Sequence, residues 1–334
     1  MSDPAAGFVA LPKAPAIPGL TFRRFRGPTD LAGIAAVMNA SLAADRNGER
    51  NTVEGLANSF AHAVHWDPQQ DTLLVEVNGT LIGYANTEWR EAGEDCQHAI
   101  QLHLAPEWRG RGLESAMQRH MERRAQAAAA AGPNGVRHGF SSRVPETWRA
   151  WAEMLLAQGY APVRCFFEMQ RTLDGDLTDA SLPAGLAFRP APPEHYRAIW
   201  EAGAECYRDQ WEHVAVSDED YKAWAATPDL DPSLWLVAWD GDQIAGAAIN
   251  VVHKSEQGER DTWGETDDLF VRRPWRQRGL GRALLAGSLR LFKARGLTIA
   301  GLGVDAENLS GALRLYKGLG YRAYQRVVMY RKPM

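Results

Sequence analysis

The chain has 334 residues, 45% of them hydrophobic and 23% charged, with a formal net charge of −4 and a pI near 6.2. That is ordinary globular composition with length for two cores. It argues against a strongly basic nucleic-acid-binding surface. The first residues, 1–18, read as an Ala/Pro-rich tail without the basic start and apolar run of a signal peptide. No stretch approaches the ~20 apolar residues of a membrane span. The expected address is therefore cytoplasmic, with no membrane and no nucleic-acid partner. Cys96, Cys165 and Cys206 are far apart and show no metal-binding spacing, so reduced thiols and no metal are expected.

In chain order, the first half opens on a strand at Gly19 to Arg24 and a helix from Asp30 to Ser41. Apolar runs at Thr72 to Val77 and Leu81 to Thr87 flank Asn78-Gly79, a hairpin signal. Trp108-Arg109-Gly110-Arg111-Gly112-Leu113 then leads into a helix, Arg111 to Ala131, that ends in a run of alanines. Gly159-Tyr160 precedes a last strand. A polar, turn-rich stretch follows, read as a linker over 174–184.

The second half repeats this order. Gly185 to Pro190 matches the first strand, and a helix is expected from Pro193 to Tyr207. Leu234 to Trp239 and Gln243 to Val252 flank Asp240-Gly241; Trp275-Arg276-Gln277-Arg278-Gly279-Leu280 repeats the Trp-Arg motif, and Gly320-Tyr321 the Gly-Tyr pair. The matched features recur at a spacing of about 160–170 residues, the mark of a duplicated unit. Expected domains are 19–173 and 185–334. Each is α+β, a mixed, mostly antiparallel sheet flanked by helices.

Leu269-Phe270-Val271 reads as a short strand that turns through Arg276-Gln277-Arg278-Gly279-Leu280-Gly281-Arg282 into a helix. A helix N-terminus offers free N–H groups and partial positive charge, and glycine lets a phosphate come close. The turn is neither a P-loop nor a dinucleotide fingerprint. On its own it reads equally well as an ordinary strand–helix turn with surface arginines.

Arg276 to Gly281 fits the pattern [QR]-x-x-G-x-[GA], and Asn308 to Tyr321 approximates N-x-x-A-x-x-x-Y-x-x-x-G-[FY], with its alanine one place late at Ala312. In both, this half resembles the GNAT superfamily of acyl-CoA-dependent N-acetyltransferases, and the tandem arrangement is similar to its mycothiol synthase-like members. The resemblance implies acetyl-CoA as co-substrate. Leu269, Phe270 and Val271 would bond its pantetheine arm, and within the cofactor-binding loop from Arg276 to Arg282 the amides around Arg278 to Gly281 would hold its pyrophosphate. Asn308 would contact pantetheine or order the next helix, and Tyr316 would protonate the leaving thiolate.

Aminolysis of a thioester needs an uncharged amine, so a base is required. Glu265 or Asp267 is read as that base. By strand alternation Asp267 shares a face with Leu269, and Asp268 with Phe270, unless a bulge intervenes. The expected acceptor is a small-molecule amine, met by aromatic and acidic residues among Tyr207, Asp209, Trp211, Glu212, His213, Tyr221 and Trp224. The expected assembly is a monomer or homodimer.

The first half carries Glu114, Thr147 and Leu155 where the second has Gly281, Asn308 and Tyr316. It is expected to keep the fold without the catalysis. Two other readings are a non-catalytic acyl-CoA sensor and a protein acetyltransferase.

Overall fold

The computed structural model describes residues 7–47, 49–92, 95–131, 135–177, 179–208, 211, 216–228, 230–253, 262–308 and 311–334. Two compact units emerge: residues 1–165 with 327–334, and residues 166–326.

The first half of the chain runs β1 (Leu20–Arg23), α1 (Leu31–Ala44), α2 (Val53–Ala61), β2 (Thr72–Val77), β3 (Thr80–Ala92), β4 (Asp95–Leu104), α3 (Leu113–Ala131), β5 (Arg137–Pro145), α4 (Arg149–Ala157) and β6 (Ala161–Thr172). The second runs β7 (Leu186–Arg189), α5 (Tyr196–Tyr207), α6 (Asp218–Ala225), β8 (Leu236–Asp240), β9 (Gln243–His253), β10 (Trp263–Val271), α7 (Leu280–Ala294), β11 (Ile299–Asp305), α8 (Ala312–Gly318) and β12 (Arg322–Pro333). In each unit the first four strands pair antiparallel in succession, and the fourth pairs parallel with the fifth. Each unit is thus a mixed, mostly antiparallel sheet with helices, an α+β fold.

The compact units part from the sequence repeats at their last strands. Residues 166–172 of β6 pair antiparallel with β11 in the second unit. The end of β12, from Val327 to Pro333, pairs with β5 in the first. Each unit therefore draws a strand from the other repeat. Compact contact, not chain order, sets where a unit ends.

Both hairpin signals form turns. Asn78 (φ 51°) and Gly79 (φ 80°) both have positive φ, as a type I′ turn requires. At Asp240-Gly241-Asp242-Gln243, Gly241 takes φ 55° and Asp242 does not, which suits a II′ turn. In the first unit, Leu73, Ile100, Leu102 and Leu104 of the sheet bury against Leu113, Met117 and Met121 of α3. Within the Ala/Pro-rich stretch, Val9 donates to the Phe22 carbonyl and Leu11 is buried in this core. In the second unit, α7 buries Leu285, Leu289 and Phe292 against Leu302 and Val304. Linker residues Leu177 and Ala180 pack there too; Thr178 lies outside the described residues. Among the described residues no helix is long and apolar enough to cross a membrane.

Candidate active site

Three features of β10 and α7 shape a site in the second unit. The parallel ladder between β10 and β11 ends at Glu265 opposite Gly301. From Thr266 to Val271, β10 has register partners only in β9. The other edge of that stretch, including Leu269, Phe270 and Val271, is thus left without a strand partner among the described residues.

The loop after β10 is a turn held open. Trp275 is buried, and its indole N–H donates to Asp240 Oδ2 at 2.9 Å, which anchors the approach. Arg276 donates through Nε to the Val271 carbonyl at 3.0 Å. Gln277 then takes φ 61° and Gly279 φ 88°. Gln277 has a Cβ in the left-handed region, a strain of order 1 kcal/mol that such sites carry. Among the described residues the backbone amides of Gln277 to Arg282 have no backbone acceptor. They open the N-terminus of α7, whose fifteen residues and exposed neighbours Arg276 and Arg278 bias it toward an anion. A Cβ at Gly281 would lie 3.5 Å from Leu315 Cδ2 and 3.8 Å from Val271 Cγ2, an ordinary contact, so the position accepts Ala as well as Gly.

The first unit has the same turn with a plug in it. Gly110 (φ 73°) and Gly112 (φ 84°) repeat the backbone of Gln277 and Gly279. Glu114 is buried, and its Oε1 accepts from the Gly110 amide at 2.6 Å and from the Trp148 indole at 3.3 Å. A carboxylate of the chain sits where the loop would receive an anion. Arg109 does not face solvent either. It forms a two-pronged pair with buried Asp45 at 2.9 and 2.8 Å, donates to Ser41 and covers the Trp148 ring. Thr147 donates to the same Asp45, and Leu155 is fully buried.

A register shift between Thr266 and Asp268 makes Asp267 the extra residue of a β-bulge. Strict alternation would put Asp267 and Asp268 on opposite faces. The bulge instead lets both line a cleft of about 330 Å³ with Ile199, Trp200, Tyr207, Trp224 and Phe270. Burial drives the Asp268 carboxyl up to about 7, against a small lowering by the Leu269 amide. Its Oδ1 is buried without a hydrogen-bond partner. Asp267 opens to solvent in the cleft while protein surrounds it. That enclosure first, then the Glu265 charge, raises it to about 6, with His253 pulling the other way. Of the two acids read from the sequence as the base, Asp267 lines the cleft and Glu265 does not; Asp268 lies there with Phe270, as alternation places it.

Glu265 is engaged elsewhere: its Oε2 lies 2.7 Å from His253 Nε2, both half-buried, and it does not line the cleft. His253 drew no notice in the sequence, since only the β9–β10 pairing brings it near Glu265. Fully buried Asn250 accepts from Thr266 and donates to the Leu234 carbonyl, bracing the strand ahead of the bulge. Tyr316 is buried on α8; desolvation, with the Asp268 charge, pushes its phenol up to about 12. Asn308 is half-buried between β11 and α8, its amide bonded to the Asp305 carbonyl. Arg282 reaches toward α8 near Gly318. Of the aromatic and acidic acceptor candidates, Tyr207 and Trp224 line the cleft, whereas Asp209, Glu212 and His213 lie outside the described residues.

The family model described as "Acetyltransferase (GNAT) family" matches residues 42–132 and again 196–321. The chain belongs to the GNAT acetyltransferase family. It is an acyltransferase built as a tandem of that fold, and the family uses acetyl-CoA. A mycothiol acetyltransferase of Streptomyces scabiei is 31% identical over 265 residues, 78% of this chain and 79% of its own. A GCN5-related N-acetyltransferase from Sphaerobacter thermophilus aligns over 97% of both chains at 26% identity and a TM-score of 0.71. A tandem GNAT protein from the clavulanic acid biosynthesis pathway shares the fold at 15% identity and a TM-score of 0.66, over 94% of this chain and 98% of its own.

Proposed function

We propose that the second unit transfers an acetyl group from acetyl-CoA to the primary amine of a small molecule, by direct attack of the amine on the thioester. The observation that carries this reading is the pairing of two features in one unit. The amides after Arg276 are free to receive a diphosphate, and the bulge of β10 turns two carboxylates into an aromatic cleft. In this reading the amides of Gln277 to Arg282 hold the pyrophosphate, with Arg276 and Arg278 adding charge. The open edge of Leu269 to Val271 takes the pantetheine arm, and Asn308 orders the turn beside it.

The acceptor amine enters as a cation, drawn by Asp267 and the rings of Trp200, Tyr207 and Trp224. Asp268, with a spare acceptor atom and a carboxyl raised to about 7, takes its proton. The amine nitrogen bonds to the thioester carbon, the carbon–sulfur bond breaks, the Tyr316 phenol gives its proton to the departing sulfur, and the second proton shed by the new amide nitrogen returns the phenol to its neutral form. Glu265, held by His253, acts through its charge on Asp267 and not as the base itself. The first unit, with Glu114 in its loop, binds no CoA.

Relatives named mycothiol acetyltransferase favour a small-molecule acceptor over a protein. The test is a screen of amines, amino acids, aminoglycosides bearing a cysteinyl group, and peptides, following CoA release by chromatography so that acceptor thiols do not interfere. Turnover with a small amine supports the reading. Turnover with peptides alone would overturn it, and binding of acetyl-CoA without any turnover would leave a sensor. Calorimetric titration should show one acetyl-CoA site per chain; two equal sites contradict the account of the first unit.

A further inference from the structure

The first unit carries a cluster for which acetyl transfer has no use. Cys96 and His98 stand two residues apart on β4, so their side chains share a face. His138 on β5 is the register partner of Cys96 in the parallel pair. Cys96 Sγ lies 3.9 Å from His98 Nε2, and that nitrogen lies 3.1 Å from His138 Nδ1. All three donor atoms fall within 4.8 Å of one another. Cys96 and His98 are buried and His138 is half-buried.

These separations suit one ion held in common. A tetrahedral zinc, bound at ~2.3 Å to sulfur and ~2.05 Å to nitrogen, sets its nitrogens about 3.3 Å apart and sulfur about 3.6 Å from each nitrogen. The two closest pairs here depart from those values by a few tenths of an ångström, which a side-chain torsion absorbs. A thiolate with two imidazoles is also a donor set that zinc favours over hard cations. We propose that Cys96, His98 and His138 form a Zn²⁺ site with three protein ligands and an open fourth position.

Binding releases the thiol proton to solvent, forms one sulfur–zinc bond and uses a lone pair from each imidazole; nothing is oxidised or reduced. The location gives the site a purpose. The β4–β5 ladder spans only Asp95 to Ala99 against Arg137 to Ser141. An ion bridging Cys96 and His98 to His138 ties the two strands together at that short joint. The spacing of cysteines did not reveal the site, because His138 is remote in sequence and only parallel pairing brings it in.

The full chain, free of any affinity tag and stripped with a chelator, is titrated with Zn²⁺ against a competing indicator, and with Co²⁺ as an optical probe. The expected result is one ion per chain. The cobalt form should show thiolate charge-transfer absorption and the strong visible bands of a tetrahedral site. Zn²⁺ should raise the unfolding temperature in step with its affinity. Cys96→Ser and His138→Gln should each weaken binding by more than about 100-fold, since even losing an outer partner of a metal ligand costs 10–100-fold. Cys165→Ser and Cys206→Ser should bind as the parent does. His138 is half-buried, so its variant remains readable even if Cys96→Ser fails to fold. Failure of the stripped parent to take up stoichiometric zinc overturns the proposal; it leaves a hydrogen-bonded Cys–His–His trio. Equal affinity in the parent and His138→Gln overturns it as well.

Discussion

Gly281→Glu transplants the first unit's plug into the second and isolates charge from bulk. The two loops share their backbone: Gln277 and Gly110 at φ 61° and 73°, Gly279 and Gly112 at 88° and 84°. A glutamate at 281 can therefore reach the Gln277 amide as Glu114 reaches the Gly110 amide at 2.6 Å. It would occupy an amide that a diphosphate needs and set a negative charge against the ligand. A hydrogen bond to a charged group contributes about 1.5–3 kcal/mol. Losing one such bond and adding like-charge repulsion gives about 3 kcal/mol, or roughly a 100-fold rise in the Kd for CoA, at about 1.4 kcal/mol per tenfold. Gly281→Ala is the steric control. Its Cβ would rest 3.5 Å from Leu315 and 3.8 Å from Val271, so affinity should stay within about threefold, well under the tenfold that 1.4 kcal/mol represents. Gly281→Gln, uncharged and of the same size, should fall between. Calorimetry with CoA at fixed ionic strength reads all three. If alanine were as damaging as glutamate, the loop would fail on volume and the anion-site argument would be lost. Unchanged binding by the glutamate variant would remove it outright.

Tyr316→Phe should lower kcat by about 10²-fold or more while CoA affinity changes little, the split expected of a proton donor and not of a packing residue. With Asp268 as base, kcat/KM should rise with pH and level off above about 7, where the carboxylate is ionised, and Asp268→Asn should erase that limb. The same carboxyl has a stability signature. Its folded pKa is raised above the unfolded value, so the folded state keeps a proton that the unfolded chain releases. Stability from this group is present at pH 4 and lost as pH rises through 7. Asp268→Asn should therefore gain in melting temperature over the parent at pH 8 and not at pH 4; the reverse order would contradict the burial. Arg109→Ala strips buried Asp45 of its guanidinium and should cost about 3 kcal/mol in denaturant unfolding of the first unit, with acetyl-CoA binding retained.

Much of the architecture could be read from the chain because turns and caps are local. Asn78-Gly79 and Asp240-Gly241 each specify a hairpin through backbone freedom that few residues have. The strand-to-helix turn at Gly279 is announced by its glycine and by the apolar spacing from Leu280. The closing strands were another matter. Arg322 to Pro333 reads as a strand by its own composition, but nothing in it states that its end pairs with β5. The same holds for β6 and β11. Strand partners at long separation are chosen by the fit of whole faces, a property of the folded sheet.

The site divides along the same line. Arg276 to Gly281, Asn308 and Tyr316 stand in motifs local to a turn or a helix, which is what made the family resemblance visible. The acids are read less sharply: of Glu265 and Asp267, only Asp267 lines the cleft. A single unpaired residue at Asp267 reverses the faces of everything before it, and the bulge is set by the pairing of β9 with β10. Alternation alone keeps Asp268 on the face of Phe270, and both line the cleft; the bulge is what brings Asp267 there too, while Glu265 turns to His253.

The two loops differ in their side-chain partners with little change of backbone. A residue with a Cβ held in the left-handed region carries a strain of order 1 kcal/mol. The second unit carries that strain at Gln277. In the first, glycine replaces the strained residue, and Glu114 satisfies the Gly110 amide from within the chain. Arg109 is held by Asp45 and Ser41. Restoring Glu114 to glycine should therefore destabilise the first unit by about 1–3 kcal/mol, through loss of the acceptor for a buried indole and an amide. It should not create a tight CoA site, because Arg109 stays bound to Asp45. Gain of a second CoA site in that single variant would show that the glutamate alone separates the two halves.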